Sequence, residues 1–240
     1  LKKNLRVTNL YHHHPHRNHV KQKITKPPLT TSLNVLVTWR MTEDVSEGES
    51  LLSEEEVVLY NVSSSIIQWN CRGLKANIDE ISLLIRDHSP VAFCLQETFL
   101  KENDSVSFKY HSMYNKVYTE GDKAQGGASI IINNCVPHSQ ITLNTTLQAV
   151  AVRVSIHNSI TLCSIYLPPR EPIDINKLNN LITQLPAPYI LAGDFNGHNI
   201  IWGCDDTNHR GTQLEHIITS NDLSIMNHVN SKTYLHPATG

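Results

Sequence analysis

The sequence predicts an α/β fold in which two sheets pack together and helices cover their outer sides. Two observations indicate this fold. From about residue 61 onward, short apolar runs of strand length alternate with a few amphipathic segments of helix length, which is typical of layered α/β domains. Four of the runs also end in polar side chains, and strand ends that open into loops are where such scaffolds carry their chemistry.

Seven runs are predicted to be strands because they are apolar or β-branched and are bounded by polar or turn-forming residues. The predicted strands are 65–70, 91–96, 127–132, 148–156, 159–166, 189–193 and 223–227. Only His157 and Asn158 separate two of these runs, which therefore predict a β-hairpin. Three amphipathic segments near 76–87, 174–185 and 211–220 are predicted to be helices, with Asp174 as the N-cap of the second.

Length and composition favour one domain that buries a core of its own. The chain has 240 residues, of which 40% are hydrophobic, and this is enough for a sizeable core. No run approaches the roughly 18 apolar residues of a membrane span. The five cysteines include no Cys-x-x-Cys pair, so neither a disulfide framework nor a zinc site is indicated. A reducing intracellular compartment fits this cysteine usage.

The first 60 residues are predicted to be a disordered leader ahead of a domain over 61–240. Residues 1–26 carry seven Lys or Arg and no acid, whereas residues 43–56 carry seven acids and no base. Such blocks of opposite charge with little periodicity are typical of disorder. The basic block is either a solvated segment, a nucleic-acid contact or a nuclear address, and the His-rich stretch 12–19 is read as a solvated tract.

The predicted domain has no overall positive charge. From residue 61 onward it carries 12 bases and 15 acids, a formal net charge of −3. Long-range attraction of a polyanion by net charge is therefore weak. Any binding of DNA would depend on local contacts and a bound cation.

Polar residues follow four of the predicted strands. Asp194 and Asn196 come directly after the apolar run 189–192, Asn70 ends the first strand, and Glu97 follows 91–96. Tyr166 ends 159–166 and is followed by a Leu-Pro-Pro turn. One Gly-Asp turn after a strand is common, but four polar strand ends in one chain indicate a shared site for a cation or phosphate.

These residues and several short motifs closely resemble the endonuclease/exonuclease/phosphatase superfamily, and within it the endonuclease domain of jockey-like non-LTR retrotransposons. The resemblance runs from about Ser65 to Gly240. The motifs that carry it are Trp69-Asn70-Cys71-Arg72-Gly73-Leu74, Gln96-Glu97-Thr98, Gly126-Gly127-Ala128, Tyr166-Leu167-Pro168-Pro169, Gly193-Asp194-Phe195-Asn196, Trp202-Gly203 and Arg210-Gly211. The resemblance implies a four-layered, DNase I-like sandwich of mostly antiparallel sheets with outer helices, incomplete at the C-terminus.

The resemblance also implies roles for the strand-end residues. It assigns Glu97 and Asn70 to a Mg²⁺ or Mn²⁺ ion, and hard oxygen ligands suit either ion. It makes Asp194 the group that orients and deprotonates the attacking water, with Asn196 as its partner in the transition state. Tyr166 would donate its phenol to a phosphate oxygen. The alternative for Tyr166 is an aromatic side chain that caps the core at a strand end.

Further residues are candidate substrate contacts. Thr233 matches a family position near the DNA phosphate by its spacing alone. Arg72 and Arg210 are each either a phosphate contact or an ordinary surface arginine. His198 and His209 follow the Asp-x-Asn motif but do not match the catalytic histidine of the family, so both are left out of the predicted site.

The family site is completed by a C-terminal Ser-Asp-His segment, which this sequence does not reach before Gly240. We therefore expect little or no nuclease activity from the 240-residue chain by itself. The functions that remain open are a Mg²⁺-dependent endonuclease that nicks target DNA for reverse transcription, another phosphoesterase of the superfamily, and an inactive remnant that at most binds nucleic acid. The first implies DNA and a downstream reverse transcriptase as partners, a nuclear location and no membrane.

Overall fold

Two β-sheets that lie face to face form the centre of the computed structural model, which describes residues 6–9, 38–39, 63–156 and 158–227. The strands in chain order are β1 Arg6–Asn9, β2 Thr38–Trp39, β3 Ser63–Asn70, β4 Pro90–Gln96, β5 His111–Lys116, β6 Thr119–Glu120, β7 Lys123–Ala124, β8 Ala128–Asn133, β9 His138–Ile141, β10 Gln148–Ser155, β11 Ser159–Tyr166, β12 Tyr189–Asp194 and β13 Ser224–Ile225. The α-helices are α1 Ile78–His88, α2 Ile175–Thr183 and α3 His209–Ser220.

The strand order confirms a sandwich of mostly antiparallel sheets. One sheet has the order β1-β3-β4-β8-β5, and only β3 and β4 are parallel in it. The other has the order β13-β2-β12-β11-β10-β9, and only β11 and β12 are parallel. Parallel strands run in the same direction, so the C-terminal ends of the two strands in each parallel pair lie side by side at one end of their sheet.

Side chains of the inner strands alternate between two apolar layers, as the two-residue period of a strand requires. On β11, Leu162 belongs to the core shared by both sheets, whereas Cys163 and Ile165 pack with the residues of α2 and α3. Helix α1 buries Ile81 in the cluster that contains the first sheet. None of the helices in the described ranges is long and apolar enough to cross a membrane.

Most predicted elements are confirmed within a few residues. Strands β10 and β11 pair along their whole length, from Gln148 opposite Tyr166 to Ser155 opposite Ser159, so the hairpin is confirmed, although His157 lies outside the described residues. The predicted strand 223–227 is a strand only at Ser224–Ile225.

Strands β5 and β9 were not predicted, because their sequences contain no apolar run. Both lie at the edge of a sheet, and their side chains are half-buried or exposed. A strand at the edge of a sheet hydrogen-bonds to one neighbouring strand only, and it needs to bury only one of its faces. Its sequence can therefore stay polar and carry no signal of a buried strand.

Two short strands lie in the segment 1–60, which was predicted to be disordered. Strand β1 pairs with the free edge of β3, and β2 lies between β12 and β13. Without β1 and β2, β3 and β12 would each have a row of unpaired backbone N–H and C=O groups. Short segments with little hydrophobic periodicity can form strands by pairing with such groups. At these six residues the structure differs from the prediction, and the boundary at residue 61 stays a prediction.

Candidate active site

The register of the strands places the predicted polar residues in two rows. In one sheet, Gln148, Tyr166 and Asp194 are direct neighbours across β10, β11 and β12. In the other, Asn70 lies opposite Gln96 at the ends of β3 and β4. A side-chain hydrogen bond from Asn70 to Asp194 joins the two rows. The site therefore spans the gap between the sheets at one edge of the sandwich.

Asn70 lies between two carboxylates. Its Nδ2 donates to Glu97 Oε1 at 2.8 Å and to Asp194 Oδ2 at 2.6 Å. The other oxygen of Asp194, Oδ1, accepts from the backbone N–H of Asn196 at 3.1 Å. Because a side-chain amide has two N–H groups, Asn70 can serve both acids at once and hold them close together.

Asp194 is fully buried, and this burial raises its pKa to about 7. The hydrogen bonds from Asn70 and from the backbone of Asn196 oppose the rise, and the negative charge of Glu97 adds to it. A carboxylate with a pKa near neutrality can take a proton from water and release it again at physiological pH. The environment of Asp194 thus suits a general base.

Tyr166 is buried beside the two acids. Burial and then the charges of Glu97 and Asp194 raise the pKa of its phenol well above the ordinary value, and the phenol is hydrogen-bonded to Glu97. The phenol therefore stays protonated, and its single O–H donates to Glu97 in this structure. Gly126 packs against it, because a Cβ on Gly126 would lie 3.0 Å from Tyr166 Cε1 and 2.1 Å from Gln148 Oε1.

The loops after the strands hold strained backbone. Arg72, Glu97 and Asn196 have φ values of +44°, +50° and +49°, in a region that side chains other than glycine seldom occupy. Each such residue costs about 1–3 kcal/mol, and such residues cluster at functional sites. Arg72 is exposed, and its Nε lies 4.0 Å from Glu97 Oε2.

The donor set fits a hard divalent cation. Mg²⁺ takes one or two carboxylates and keeps several waters, and Glu97 and Asp194 are two carboxylates that share one amide. Within the described ranges, no group of three or more His, Cys, Asp or Glu could form a richer metal site. The Oδ1 of Asn70 accepts from the Arg72 N–H at 3.3 Å and its nitrogen faces the acids, so its predicted role as a metal ligand stays a prediction.

A cavity of about 120 Å³ lies against Tyr166. Gln148, Lys177 and Arg210 also line it. Gln148 is held by the backbone N–H of Gly127, which donates to its Oε1 at 2.6 Å. The sequence drew attention to the Gly-Gly pair but gave no sign that it contacts Gln148, so this residue was missed.

Among the remaining candidates, the two histidines are exposed, Arg210 lies beside the site, and Thr233 lies outside the described residues. His198 is exposed and lies 3.3 Å from Asp206 through its Nδ1, and His209 is an exposed residue at the start of α3. Arg210 is not a free surface arginine, because its guanidinium contacts backbone carbonyls beside the site. Thr233 lies outside the described residues, so its predicted role stays a prediction.

Comparison with known proteins points in the same direction as the site. A family model described as "Endonuclease-reverse transcriptase" matches residues 160–240. Two curated relatives from Drosophila melanogaster, the probable RNA-directed DNA polymerase from transposon X-element and the RNA-directed DNA polymerase from mobile element jockey, are each 26% identical over 161 residues. Each alignment covers 66% of this chain and 18% of the relative.

A solved structure supports the fold. The endonuclease domain of TRAS1, a telomere-specific non-LTR retrotransposon, is 22% identical, has a TM-score of 0.57, and is matched over 68% of this chain and 74% of its own. The motifs at the strand ends, the order of the sheets and these matches agree with one another. The chain is therefore similar to the endonuclease-reverse transcriptase family over residues 160–240, and to retrotransposon proteins over about two thirds of its length.

Proposed function

We propose that this chain is the part of a retrotransposon protein that hydrolyses a phosphodiester bond of target DNA and leaves a nick with a 3′-hydroxyl. The observation that carries the proposal is the buried Asp194, whose pKa is raised to about 7 and whose two oxygens accept from Asn70 and Asn196. A fixed base at a strand end beside a second carboxylate is what hydrolysis of an anionic ester requires.

Each residue of the site has a distinct part in this chemistry. Asp194 takes a proton from the attacking water, whose oxygen bonds to phosphorus as the bond from phosphorus to the 3′ oxygen breaks. Tyr166 turns its O–H from Glu97 to a phosphoryl oxygen and donates a hydrogen bond to it, and Asn196 stabilises the same charge. When bound, Mg²⁺ or Mn²⁺ would neutralise charge on the phosphate, and Glu97 would hold it, with Asn70 as a further candidate ligand.

DNA as the substrate is supported by local features, since the domain has a net charge of −3 from residue 61 onward. Arg72 is exposed at the rim of the site, where it can contact a phosphate of the cut strand. Thr233 is a second proposed contact. The curated relatives are RNA-directed DNA polymerases of which this chain spans 18%, so we also propose a downstream reverse transcriptase and a nuclear location.

Nicking of supercoiled plasmid in Mg²⁺ and in EDTA tests the proposal. The assay compares wild type with Asp194→Asn and with Asp206→Asn, an exposed acid of the following loop. The chain is also assayed in a version extended after Gly240 through a Ser-Asp-His segment, because the family resemblance expects such a segment to complete the site.

In the extended chain we expect nicking that needs Mg²⁺, falls by about 10²- to 10⁴-fold in Asp194→Asn, and is unchanged in Asp206→Asn. A folded Asp194→Asn protein that nicks at the wild-type rate would contradict the assignment of the base. If the 240-residue chain and its extended version are both folded and bind DNA but neither cuts it, nuclease activity is refuted and a nucleic-acid-binding remnant is favoured.

A further inference from the structure

The geometry points to Arg210 as a positioning residue of this site. We propose that its guanidinium fixes the loop that carries Asn196 against the loop that follows Tyr166, so that both side chains reach the same phosphate. The inference deepens the proposed function and rests on it. Arg210 itself would not contact the reacting atoms.

Arg210 donates to carbonyls of two loops. In the loop after β12, its Nε donates to Asn196 O at 2.9 Å and its Nη2 to Phe195 O at 2.9 Å. In the loop after β11, its Nη2 donates to Leu167 O at 3.3 Å and its Nη1 donates to Glu171 O. One rigid, planar group thus joins the chain segments that follow two neighbouring strands.

Because the guanidinium donates to these carbonyls, few of its N–H groups are left to bind a substrate phosphate. An arginine has five N–H groups in a fixed fork, and four donor contacts to carbonyls are already made. A bidentate contact to phosphate would require some of these bonds to break. The structure therefore favours a structural contact within the site over the phosphate contact that was one sequence-based alternative.

The hydrogen bonds of Arg210 fix the position of Asn196 in particular. Its φ is +49°, a left-handed conformation that asparagine tolerates better than other non-glycine residues. Its N–H donates to Asp194 Oδ1 at 3.1 Å, its Nδ2 donates to Leu167 O at 3.0 Å, and its carbonyl accepts from Arg210. Arg210 therefore bonds to both ends of the Asn196–Leu167 contact and acts on Asp194 through the Asn196 backbone.

The neighbouring glycine explains how Arg210 comes so close. A Cβ on Gly211 would lie 1.7 Å from the carbonyl oxygen of His198, so only glycine lets α3 begin against this loop. The N-cap Asn208 also joins helix and loop, since its Oδ1 accepts from the N–H groups of Gly211 and His198 at 2.8 Å and 3.1 Å. Gly211 thus lets the start of α3 approach the loop after β12, and Arg210 then hydrogen-bonds to the carbonyls of that loop.

The chain offers a matched control at Arg153. Its guanidinium also donates to several oxygens, namely Thr161 Oγ1 and the carbonyls of Pro186, Ala187 and Pro188. Thr161 lies on β11 five residues before Tyr166, near the opposite end of that strand. Arg153→Ala therefore removes a comparable set of hydrogen bonds from the same sheet without touching the site.

The experiment measures single-turnover nicking and DNA affinity for Arg210→Ala, Arg210→Lys and Arg153→Ala, in the chain length that proves active. We expect Arg210→Ala to lower the rate of nicking about 10²-fold, the loss that a misplacement of about 1 Å can cause. DNA affinity should change less than about twofold. Low millimolar guanidinium should restore part of the Arg210→Ala rate, and Arg210→Lys should stay slow because an ammonium cannot replace the fork.

Hydrogen exchange gives a readout that does not need activity. Peptides covering 167–171 and 194–198 should exchange faster in Arg210→Ala than in wild type, and should be unchanged in Arg153→Ala. Equal nicking rates for the two alanine variants, or a loss confined to DNA affinity, would overturn the positioning role. Wild-type protein that never nicks would instead count against the proposed function, and unchanged exchange in Arg210→Ala would still refute the positioning.

Discussion

Replacing Asp194 by asparagine should stabilise the protein at alkaline pH. The carboxylate is fully buried, and its pKa is raised from the ordinary 3.8 to about 7. Folding therefore opposes ionisation of Asp194. The penalty is absent below the unfolded pKa, grows as pH rises from about 4 to 7, and is complete above pH 7.

The size of the effect follows from the shift and from the hydrogen bonds. A shift of about three pH units at 1.36 kcal/mol per unit corresponds to about 4 kcal/mol. Asp194 accepts from Asn70 and from Asn196 through different oxygens, and an asparagine keeps only one oxygen, so about 1 kcal/mol is lost. The net gain for Asp194→Asn is about 3 kcal/mol at pH 8 and less than about 1 kcal/mol at pH 4.

Urea unfolding in EDTA at pH 8 and pH 4 measures this difference, since a bound cation would relieve the penalty in wild type. Asp206→Asn removes an exposed acid and should shift the midpoint little at either pH. A variant Asp194→Asn that is less stable than wild type at pH 8, or a gain that is the same at both pH values, would refute the reasoning from burial.

Three further outcomes are expected. In thermal unfolding at pH 8, Mg²⁺ at 100 times its dissociation constant should stabilise wild type by about 2.7 kcal/mol and should not stabilise Glu97→Gln; equal stabilisation of both would place the ion elsewhere. Gly126→Ala should destabilise the fold by more than about 1 kcal/mol and abolish nicking, because the new methyl would overlap Gln148. Gly121→Ala is its control, since Gly121 has the same φ of +57° but open space around its Cα, and similar losses in both would show that φ alone matters. Tyr166→Phe should slow nicking about tenfold or more without weakening DNA affinity, because only the phenol donor is removed; a loss of affinity with an unchanged rate would contradict this role.

The inner strands could be predicted because burial on both sides requires an apolar run. In β4 all seven residues are buried, and in β11 only the first is exposed. The polar residues at the strand ends stood out against these runs. Their convergence follows from parallel pairing, which brings the ends of β3 and β4, and of β11 and β12, to one edge of each sheet.

Other features of the fold and the site could not be predicted from the sequence, because no residue pattern is specific for them. The edge strand β5 has the sequence HSMYNK, which does not distinguish a strand from a loop. The role of Arg210 depends on backbone carbonyls of residues 14 to 43 positions away, and every residue type has a carbonyl. The orientation of the Asn70 amide, with its nitrogen toward the acids, likewise depends on both sheets being in place.

The hydrogen bond from Asn70 to Asp194 has a consequence for evolution of this domain. Because the two residues belong to different sheets, the separation of base and second acid is set by the thickness of the apolar layer between the sheets, about 10 Å in such sandwiches. If the proposed function holds, core residues such as Ile130 and Leu162 set the distance between the base and the second acid without contacting the substrate. We expect exchanges of these core residues for smaller or larger side chains to change the activity even where every motif residue at the strand ends stays the same.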